Sequence, residues 1–265
     1  MKKTYNSAPG NILQNMYLNH RLIHHIVKKK AMKFIEVGSG NGNISRILLN
    51  NGLSGIGTDL SKTACRINEE RNQDFIKHGL YEIRNMDFFD ISGISVDLIL
   101  SSHVIEHLSE KKLNAYFVKC QSLLKEDGVI ISLVPAGMKF WGIEDETAGH
   151  YRRFEYCDFK HIAEENDFAI LTLSGLTCPL SNVLLGLSNF LIKKNDAWKK
   201  NLTKEAQTIL SSSGGGKKVM YKTDFPYWFR FIMNEITLYP FYALQLLFRR
   251  SKNSMVLYCE YKVSQ

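Results

Sequence analysis

The chain has 265 residues with a hydrophobic content of 45%, which is sufficient for one large α/β domain with an ample core. Its charged fraction of 23% is close to the globular average, so the composition excludes a disordered or fibrous chain. The formal net charge of +8 leaves three classes of partner open: nucleic acid, an anionic membrane surface and an acidic substrate.

Cysteine spacing indicates the cellular compartment. The five cysteines are far apart in the sequence and form no Cys-x-x-Cys pair, which argues against a disulfide framework or a zinc knuckle. The first residues lack the apolar stretch of a secretory signal. We therefore expect a cytoplasmic protein, with peripheral contact at the inner membrane face left open.

Local patterns through residue 175 predict strands that alternate with helices. The predicted elements are a helix over 11–30, a strand over 33–37, a helix over 43–50, a strand over 55–60, a helix over 62–79, a strand within 81–90, a strand over 96–101, a helix over 113–125, a strand over 129–134, a helix over 159–166 and a strand over 169–173. This alternation predicts a largely parallel sheet with helices on both faces.

The pattern changes after residue 175. Residues 176–254 are helical, aromatic and basic in character, with a flexible break predicted at 211–216, and 255–263 has the pattern of a last strand. We therefore expect one domain made of 1–175 and 255–265, with 176–254 inserted into it.

The basic excess lies entirely within this insertion. Residues 193–252 hold twelve Lys and Arg against four Asp and Glu, whereas the rest of the chain is formally neutral. The segment either has a function of its own or is a solvated, lysine-rich surface.

A glycine-rich turn, residues 38–42, follows the first predicted strand directly. Glycine lets the backbone approach a ligand closely and adopt positive φ. Asp59 ends the second strand, where an acid can accept both hydroxyls of a ribose. Asp87 follows the third strand and could accept from an adenine amine, with Phe88 against the ring. Together with Glu36, these acids suit a cationic, adenosine-containing ligand, although each could instead be a capping or surface acid.

Five segments together resemble the class I S-adenosylmethionine-dependent methyltransferases. They are FIEVGSGNG (34–42), GTDLS (57–61), NMDFFD (85–90), DLILSSHVIEHL (97–108) and LLKEDGVIISLVP (123–135). Within this class the chain is most similar to the small-molecule group that includes the ubiquinone-biosynthesis O-methyltransferases. The resemblance implies S-adenosylmethionine as cofactor and a Rossmann-like sheet of seven strands, mostly parallel, whose last strand runs antiparallel.

The resemblance also implies a cofactor site. Its residues would be Arg21, Glu36, Gly38, Ser39, Gly40, Asp59, Leu60, Asp87, Phe88, Ser101, Ser102 and His103. In this arrangement Gly38 and Gly40 face the methionine part, Asp59 holds the ribose, and residues 101–103 line the sulfonium end. Arg21 stands where the quinone-type enzymes have an arginine that contacts the cofactor.

One departure from the quinone-type pattern concerns metal binding. Those enzymes carry an acid directly after the position of His103, in a set proposed to hold a divalent metal. Here that position is Val104, which leaves only Glu106 and His107. We therefore expect no metal site.

Methyl transfer to a hydroxyl needs in-line alignment and a proton acceptor, and histidine titrates in the useful range. His103, His107 and His150 all lie near predicted carboxyl ends of strands, where ligands bind in open α/β sheets. We favour His150 as the general base, because it lies on the loop after the fifth strand, where the class usually places substrate contacts. His107 is the second candidate.

The residues after His150 are the candidate substrate contacts. Tyr151 and either Arg152 or Arg153 would position an anionic or hydroxylated acceptor. The alternative is that His150 only orients the loop and Arg153 pairs with one of the acids at 144–146.

Residues 227–248 are mostly apolar, but Arg230, Glu235 and Pro240 interrupt them and argue against a membrane-spanning helix. Basic flanks suit a helix pair that lies on a membrane or closes over an apolar substrate. A lid packed on the domain core is the alternative that we rate slightly higher than membrane contact.

We expect a methyltransferase that acts on a hydroxyl of a hydrophobic, phenolic, sugar or lipid-linked small molecule. One alternative is an RNA methyltransferase that uses the basic insertion, although no recognised RNA-binding module accompanies the charge, so a nucleic-acid partner is disfavoured. The other is a non-catalytic cofactor-fold subunit of a membrane-associated complex. The sequence does not indicate the oligomeric state.

Overall fold

A computed structural model describes residues 4–5, 8–26, 32–196, 202–212 and 225–263. The end of the first predicted helix at 27–30 and residues 213–216 of the predicted break lie outside these ranges.

A seven-stranded sheet forms the centre of the molecule. Its strands are β1 (Lys33–Val37), β2 (Ser54–Thr58), β3 (Tyr81–Arg84), β4 (Val96–Ser102), β5 (Leu124–Pro135), β6 (Phe168–Leu176) and β7 (Val256–Val263). Their order across the sheet is β3-β2-β1-β4-β5-β7-β6. All neighbours pair in parallel except β7, which runs antiparallel to both β5 and β6. The predicted fold class is therefore confirmed.

Helices cover both faces of this sheet. They are α1 (Pro9–Ile26), α2 (Asn43–Asn50), α3 (Lys62–Arg71), α4 (Gln73–Lys77), α5 (Glu110–Leu123), α6 (Ile143–Ala148), α7 (Tyr156–Glu165), α8 (Leu180–Asp196), α9 (Lys204–Ser212) and α10 (Glu235–Leu247). One buried apolar cluster joins the sheet to α5 and α7, and a second joins its other face to α1, α2 and α10. The central strands are buried on both faces, which explains their continuous apolar sequences.

The observed helix bounds differ from the predicted ones at several places, and in two segments a side-chain cap explains the difference. The helix predicted over 62–79 is divided into α3 and α4 at Asn72, whose side-chain amide donates to the carbonyl oxygens of Asn68 and Gly42. The helical part of 227–248 begins only at Glu235, because the Asn234 side chain accepts the first free backbone N–H groups, and a 3₁₀ turn precedes it. Local side-chain capping therefore set these boundaries.

The antiparallel pairing of β7 determines where the insertion lies. Val256, the first residue of β7, pairs with Leu176, the last residue of β6, and with Pro135, the last of β5. The chain between β6 and β7 therefore leaves and rejoins the sheet at the carboxyl ends of the parallel strands. We keep the division into a core domain (1–175 and 255–265) and an inserted segment (176–254) as a proposal.

Helix α10 packs the inserted segment against the core. It packs against α1, with Leu238, Tyr242 and Gln245 buried on one side. The Tyr242 hydroxyl lies 2.9 Å from Nδ1 of His20, and the Gln245 side chain accepts from the backbone N–H of Thr177 at 2.7 Å. Among the described ranges, no helix combines the length and the apolar character needed to cross a bilayer.

Candidate active site

A cavity of about 1020 Å³ opens at the carboxyl ends of the parallel strands. Most of the side chains predicted for the site line it: Glu36, Gly38, Ser39, Gly40, Asp59, Leu60, Asp87, Phe88, Ser102, His103, His107, His150 and Tyr151. The sheet topology brings these residues together because each lies at a strand end or in the loop that follows.

The glycine turn has the backbone geometry that its sequence predicted. Gly38 and Gly40 have φ angles of 66° and 50°, in the left-handed region that favours glycine. A Cβ atom at Gly38 would lie only 2.5 Å from Cγ2 of Val104 on the neighbouring loop. The turn therefore leaves backbone, without side-chain atoms, facing the cavity at this point.

Asp59 anchors this turn to the end of β2. Its Oδ2 accepts the Gly40 backbone N–H at 2.9 Å, and its Oδ1 accepts the Ser61 N–H at 2.8 Å. Each carboxylate oxygen keeps a second lone pair for another donor. Burial nevertheless raises the pKa of Asp59, against the lowering effect of the two backbone donors.

Glu36, at the base of the cavity, is almost completely buried. Its carboxyl accepts a hydrogen bond from the Ser45 hydroxyl, which itself lies 2.5 Å from the Tyr81 hydroxyl. Burial raises the pKa of Glu36 to about 8, partly offset by the Ser45 hydrogen bond, so the group holds a proton at neutral pH.

At the adenine position proposed from the resemblance, Asp87 and Phe88 begin a short 3₁₀ turn. Oδ1 of Asp87 accepts the Phe89 backbone N–H at 3.2 Å, so this acid does act as a cap. The Phe88 ring is buried against Tyr116, with a centroid distance of 5.3 Å. Both residues still border the cavity.

Helix α1 supplies a polar wall that the sequence analysis missed. Asn11, Gln14, Asn15 and Asn19 line the cavity. The Gln14 side-chain oxygen lies 3.1 Å from Nε2 of His103. The signal was present in the sequence, since these amides recur at intervals of three and four residues opposite an apolar stripe.

Arg21 requires a correction, because it points away from the cavity wall that Asn19 helps to form. It donates from Nε and Nη2 to the Glu260 carboxylate of β7, at 2.8 and 2.6 Å, and to Oγ1 of Thr172 at 2.7 Å. Two residues along a helix correspond to a turn of about 200°, which explains the difference from Asn19. Arg21 therefore ties α1 to the sheet edge and does not line the cavity.

His150 lies in the cavity wall and is held by a buried acid. Its Nδ1 is 2.8 Å from Oδ1 of Asp145, and that same oxygen accepts from Nε of Arg153 at 2.8 Å. Burial raises the pKa of Asp145, but the hydrogen bonds from His150 and Arg153 outweigh this effect, so the pKa lies below its ordinary value. Asp145 is therefore ionised and fixes the imidazole with Nδ1 as the donor, which leaves Nε2 as an acceptor.

Three further predicted contacts are also corrected. Arg153 is buried in this ion pair, as the alternative interpretation expected, and Arg152 pairs with Glu110 at 2.7 Å on the surface. Ser101 is buried beside Ser132 within the sheet. These three side chains lie outside the cavity lining, because Arg153 is held by Asp145, Arg152 by Glu110, and Ser101 points into the sheet interior.

The buried carboxylate of Glu106 lies among His103, His107 and His150. Its Oε1 is 3.4 Å from Nδ1 of His103 and 4.0 Å from Nε2 of His150. Burial raises the pKa of Glu106, but the neighbouring histidines outweigh this effect, so the pKa of Glu106 lies below its ordinary value. Burial lowers the pKa of His107. Ligand atoms of Glu106, His107 and His150 lie within 4.8 Å of one another and could hold a metal ion. The expectation of no metal site was based on the sequence around Val104, Glu106 and His107 and did not include His150. It stays a prediction.

Helix α9 of the insertion closes one side of the cavity. Lys204 donates to the His150 carbonyl oxygen at 3.0 Å, and its ammonium lies 3.8 Å from the Tyr151 ring centroid. The Thr208 hydroxyl lies 3.1 Å from Nδ1 of His107. Both α9 residues border the cavity, as does Glu235 at the start of α10. Nothing in the sequence placed α9 beside the histidines, because this contact depends on the path of the insertion.

Comparison with known proteins finds a family model that matches part of the chain. Residues 35–130 match the family model of a methyltransferase domain. No curated protein matches the sequence.

Solved structures share the fold at low sequence identity. A sarcosine dimethylglycine methyltransferase from Galdieria sulphuraria, named as putative, matches with a TM-score of 0.59 and 15% identity over 96% of this chain and 86% of its own. Magnesium protoporphyrin IX methyltransferase from Synechocystis PCC 6803 with bound SAH matches with a TM-score of 0.54 and 15% identity, over 64% and 79% respectively. The family match and the shared fold confirm the resemblance to class I methyltransferases, whereas the likeness to the ubiquinone-biosynthesis group stays a prediction.

The raised pKa of Glu36 predicts a specific pH dependence of stability. The folded protein binds a proton at Glu36 more tightly than the unfolded chain does, so the free energy of unfolding should fall as pH rises from about 5 towards 8. The Glu36→Gln variant should lose this component, on the order of a few kcal/mol, and have a flatter profile. Urea unfolding at several pH values measures both, with Glu82→Gln, an exposed acid on β3, as control. Parallel profiles for wild type and Glu36→Gln would contradict the burial argument.

Proposed function

We propose that the chain, whose residues 35–130 match the family model of a methyltransferase domain, methylates a hydroxyl of a hydrophobic small molecule with His150 as general base. The observation that carries the proposal is the His150–Asp145 pair, at 2.8 Å, in the wall of the cavity that also contains the glycine turn. The cofactor turn and a candidate proton acceptor thus share one cavity.

The cavity fits the cofactor at its Asp59 end. Gly38 and Gly40 present a wall free of side-chain atoms, and Asp59 keeps lone pairs for the ribose hydroxyls. Asp87 and Phe88 would border the adenine, and Ser102 with His103 the sulfonium end. When bound, S-adenosylmethionine supplies an activated methyl group on a positively charged sulfur.

The protein's part in the reaction is alignment and proton transfer. His150 would accept the acceptor's hydroxyl proton at Nε2, while the Asp145 carboxylate stabilises the imidazolium that forms. Tyr151, which follows on the same loop and borders the cavity, would position the acceptor. The backbone N–H of Tyr151 donates to the Glu106 carbonyl oxygen at 2.8 Å, which holds this loop against the turn after β4.

The lining near the histidines also includes apolar side chains, beside the polar Lys204, Thr208 and Glu235. Leu108, Ala148, Tyr151 and Ile209 border the cavity near the histidines. The volume is at the upper end of the range for ligand sites, about 300–1,000 Å³, so a cofactor and an acceptor could be held together. Relatives with this fold are named for the methylation of magnesium protoporphyrin IX and of 1,6-didemethyltoxoflavin, which supports a small-molecule acceptor without identifying it.

Removing the Asp59 carboxylate should weaken cofactor binding. We expect Asp59→Ala to lower S-adenosylmethionine affinity by about 10- to 100-fold, since it removes a charged acceptor and releases the glycine turn. Isothermal titration calorimetry measures this, with Asp90→Ala as the control because Asp90 is an exposed acid on the adjacent turn. Unchanged affinity in Asp59→Ala would exclude the assigned ribose site.

Removing the His150 imidazole should affect turnover and spare the cofactor. We expect His150→Ala to lower kcat by about 10²- to 10⁴-fold with little change in S-adenosylmethionine affinity, and Asp145→Asn to lower kcat less. Labelled S-adenosylmethionine and a panel of phenols, glycosides and prenylated phenols would provide the assay.

The control is His161→Ala, because His161 is exposed on α7. Full turnover in His150→Ala would reassign the base, with His107 as the next candidate. Tight cofactor binding without turnover on any panel member would favour the non-catalytic alternative.

A further inference from the structure

Helix α10 is apolar on two opposite sides. Its buried side, which includes Leu238 and Tyr242, packs on the core. Its outer side carries Ile236, Tyr239 and Leu247, and Ile236 and Leu247 are 87% and 80% exposed. A helix on the surface of a globular protein normally presents polar residues outward. The outer side of α10 therefore has the composition of a buried surface without being buried by the described chain.

The 3₁₀ turn before α10 extends this apolar surface. Trp228, Phe231 and Ile232 are more than half exposed. Phe241 on α10 and Phe248, which directly follows this helix, are also exposed. We call the set Trp228, Phe231, Ile232, Ile236, Tyr239, Phe241, Leu247 and Phe248 the outer apolar surface. Eight large apolar side chains exposed within one short segment far exceed the isolated exposed residues usual on a soluble protein.

Basic side chains border this surface at both ends. Arg230 lies in the 3₁₀ turn with its guanidinium 4.7 Å from the Phe231 ring centroid, and Arg249, Arg250 and Lys252 are exposed just after α10. Within the described residues 225–252, Glu235 is the one acid. An apolar surface bordered by cations matches the interface of an anionic bilayer, where aromatic and aliphatic groups enter the acyl boundary and cations contact headgroups.

A second copy of the chain is a poorer match for the same surface. A two-fold contact would bring the arginines of one copy close to those of the other, and like charges repel. The 13-residue length of α10 is also well below the roughly 20 residues of a membrane-spanning helix, so the helix suits a position in the plane of the interface.

We infer that the outer apolar surface docks on an anionic lipid bilayer. Glu235, which borders the cavity, is followed directly by Ile236 of this surface, so docking would place the cavity mouth at the membrane. This inference rests on the proposed function. It adds that the methyl acceptor reaches the cavity from the lipid phase.

Vesicle co-sedimentation of the full chain tests this inference without any assay of methyl transfer. We expect binding to phosphatidylcholine vesicles that contain phosphatidylglycerol, and weaker binding without it. Ile236→Ser/Leu247→Ser should reduce the partition coefficient at least about tenfold. Arg249→Gln/Arg250→Gln should reduce it about fivefold per charge on anionic vesicles only.

Val118→Ser is the matched control, because Val118 is an apolar side chain 60% exposed on α5. S-adenosylmethionine calorimetry on each variant confirms that the fold is retained. Equal sedimentation of wild type and the Ile236/Leu247 variant would overturn the inference, and so would a dimer in gel filtration that this variant dissociates. A failure of methyl transfer with vesicle binding intact would count against the proposed function alone.

Discussion

The structure depends on the position of β7 between β5 and β6, antiparallel to both. Because β7 runs in the opposite direction, its first residue meets the last residues of β5 and β6. The whole insertion must therefore start and finish at the edge of the sheet where the parallel strands end. In this fold ligands bind at that edge, so the segment between β6 and β7 starts and ends on the side of the sheet where the cavity opens.

Three buried acids organise the cavity, each in a different way. Asp59 accepts backbone N–H groups and anchors the glycine turn. Asp145 accepts from His150 and Arg153 and remains ionised, whereas Glu36 accepts only from the neutral groups of Ser45 that its pKa reflects and holds a proton. The number and charge of the donors thus influence the charge state of each acid, which differs between the proposed cofactor half near Asp59 and the proposed acceptor half near Asp145.

The sequence predicted the core of the fold well, and it predicted which residues converge around the glycine turn, because both depend on local patterns. A strand followed by a glycine turn specifies its own backbone, and acids at strand ends converge once the sheet is parallel. It predicted the acceptor half less well. Arg21 was assigned to the cofactor, and Arg153 was assigned either to the acceptor or to a nearby acid. In the structure Glu260, which is distant in sequence, holds Arg21, and Asp145 on α6 holds Arg153. The contacts of Lys204 and Thr208 with the histidine loop could not be predicted either, since they depend on how the insertion folds back.

The position of the basic residues illustrates the same limit of prediction from sequence. The sequence located the whole basic excess within 193–252 but could not show its relation to apolar side chains. In the structure, Arg230, Arg249 and Arg250 border exposed aromatic and aliphatic residues of α10 and its preceding turn. This part of the excess charge supports the membrane contact that we propose.

The central claim is that cofactor and acceptor meet in the cavity between Asp59 and His150. A crystal structure of the chain with S-adenosylhomocysteine tests it most directly. The account predicts ribose hydroxyls within hydrogen-bond distance of the Asp59 carboxylate and the sulfur facing the space bordered by His150 and Tyr151. S-adenosylhomocysteine bound elsewhere, or bound with its sulfur turned away from His150, would contradict it.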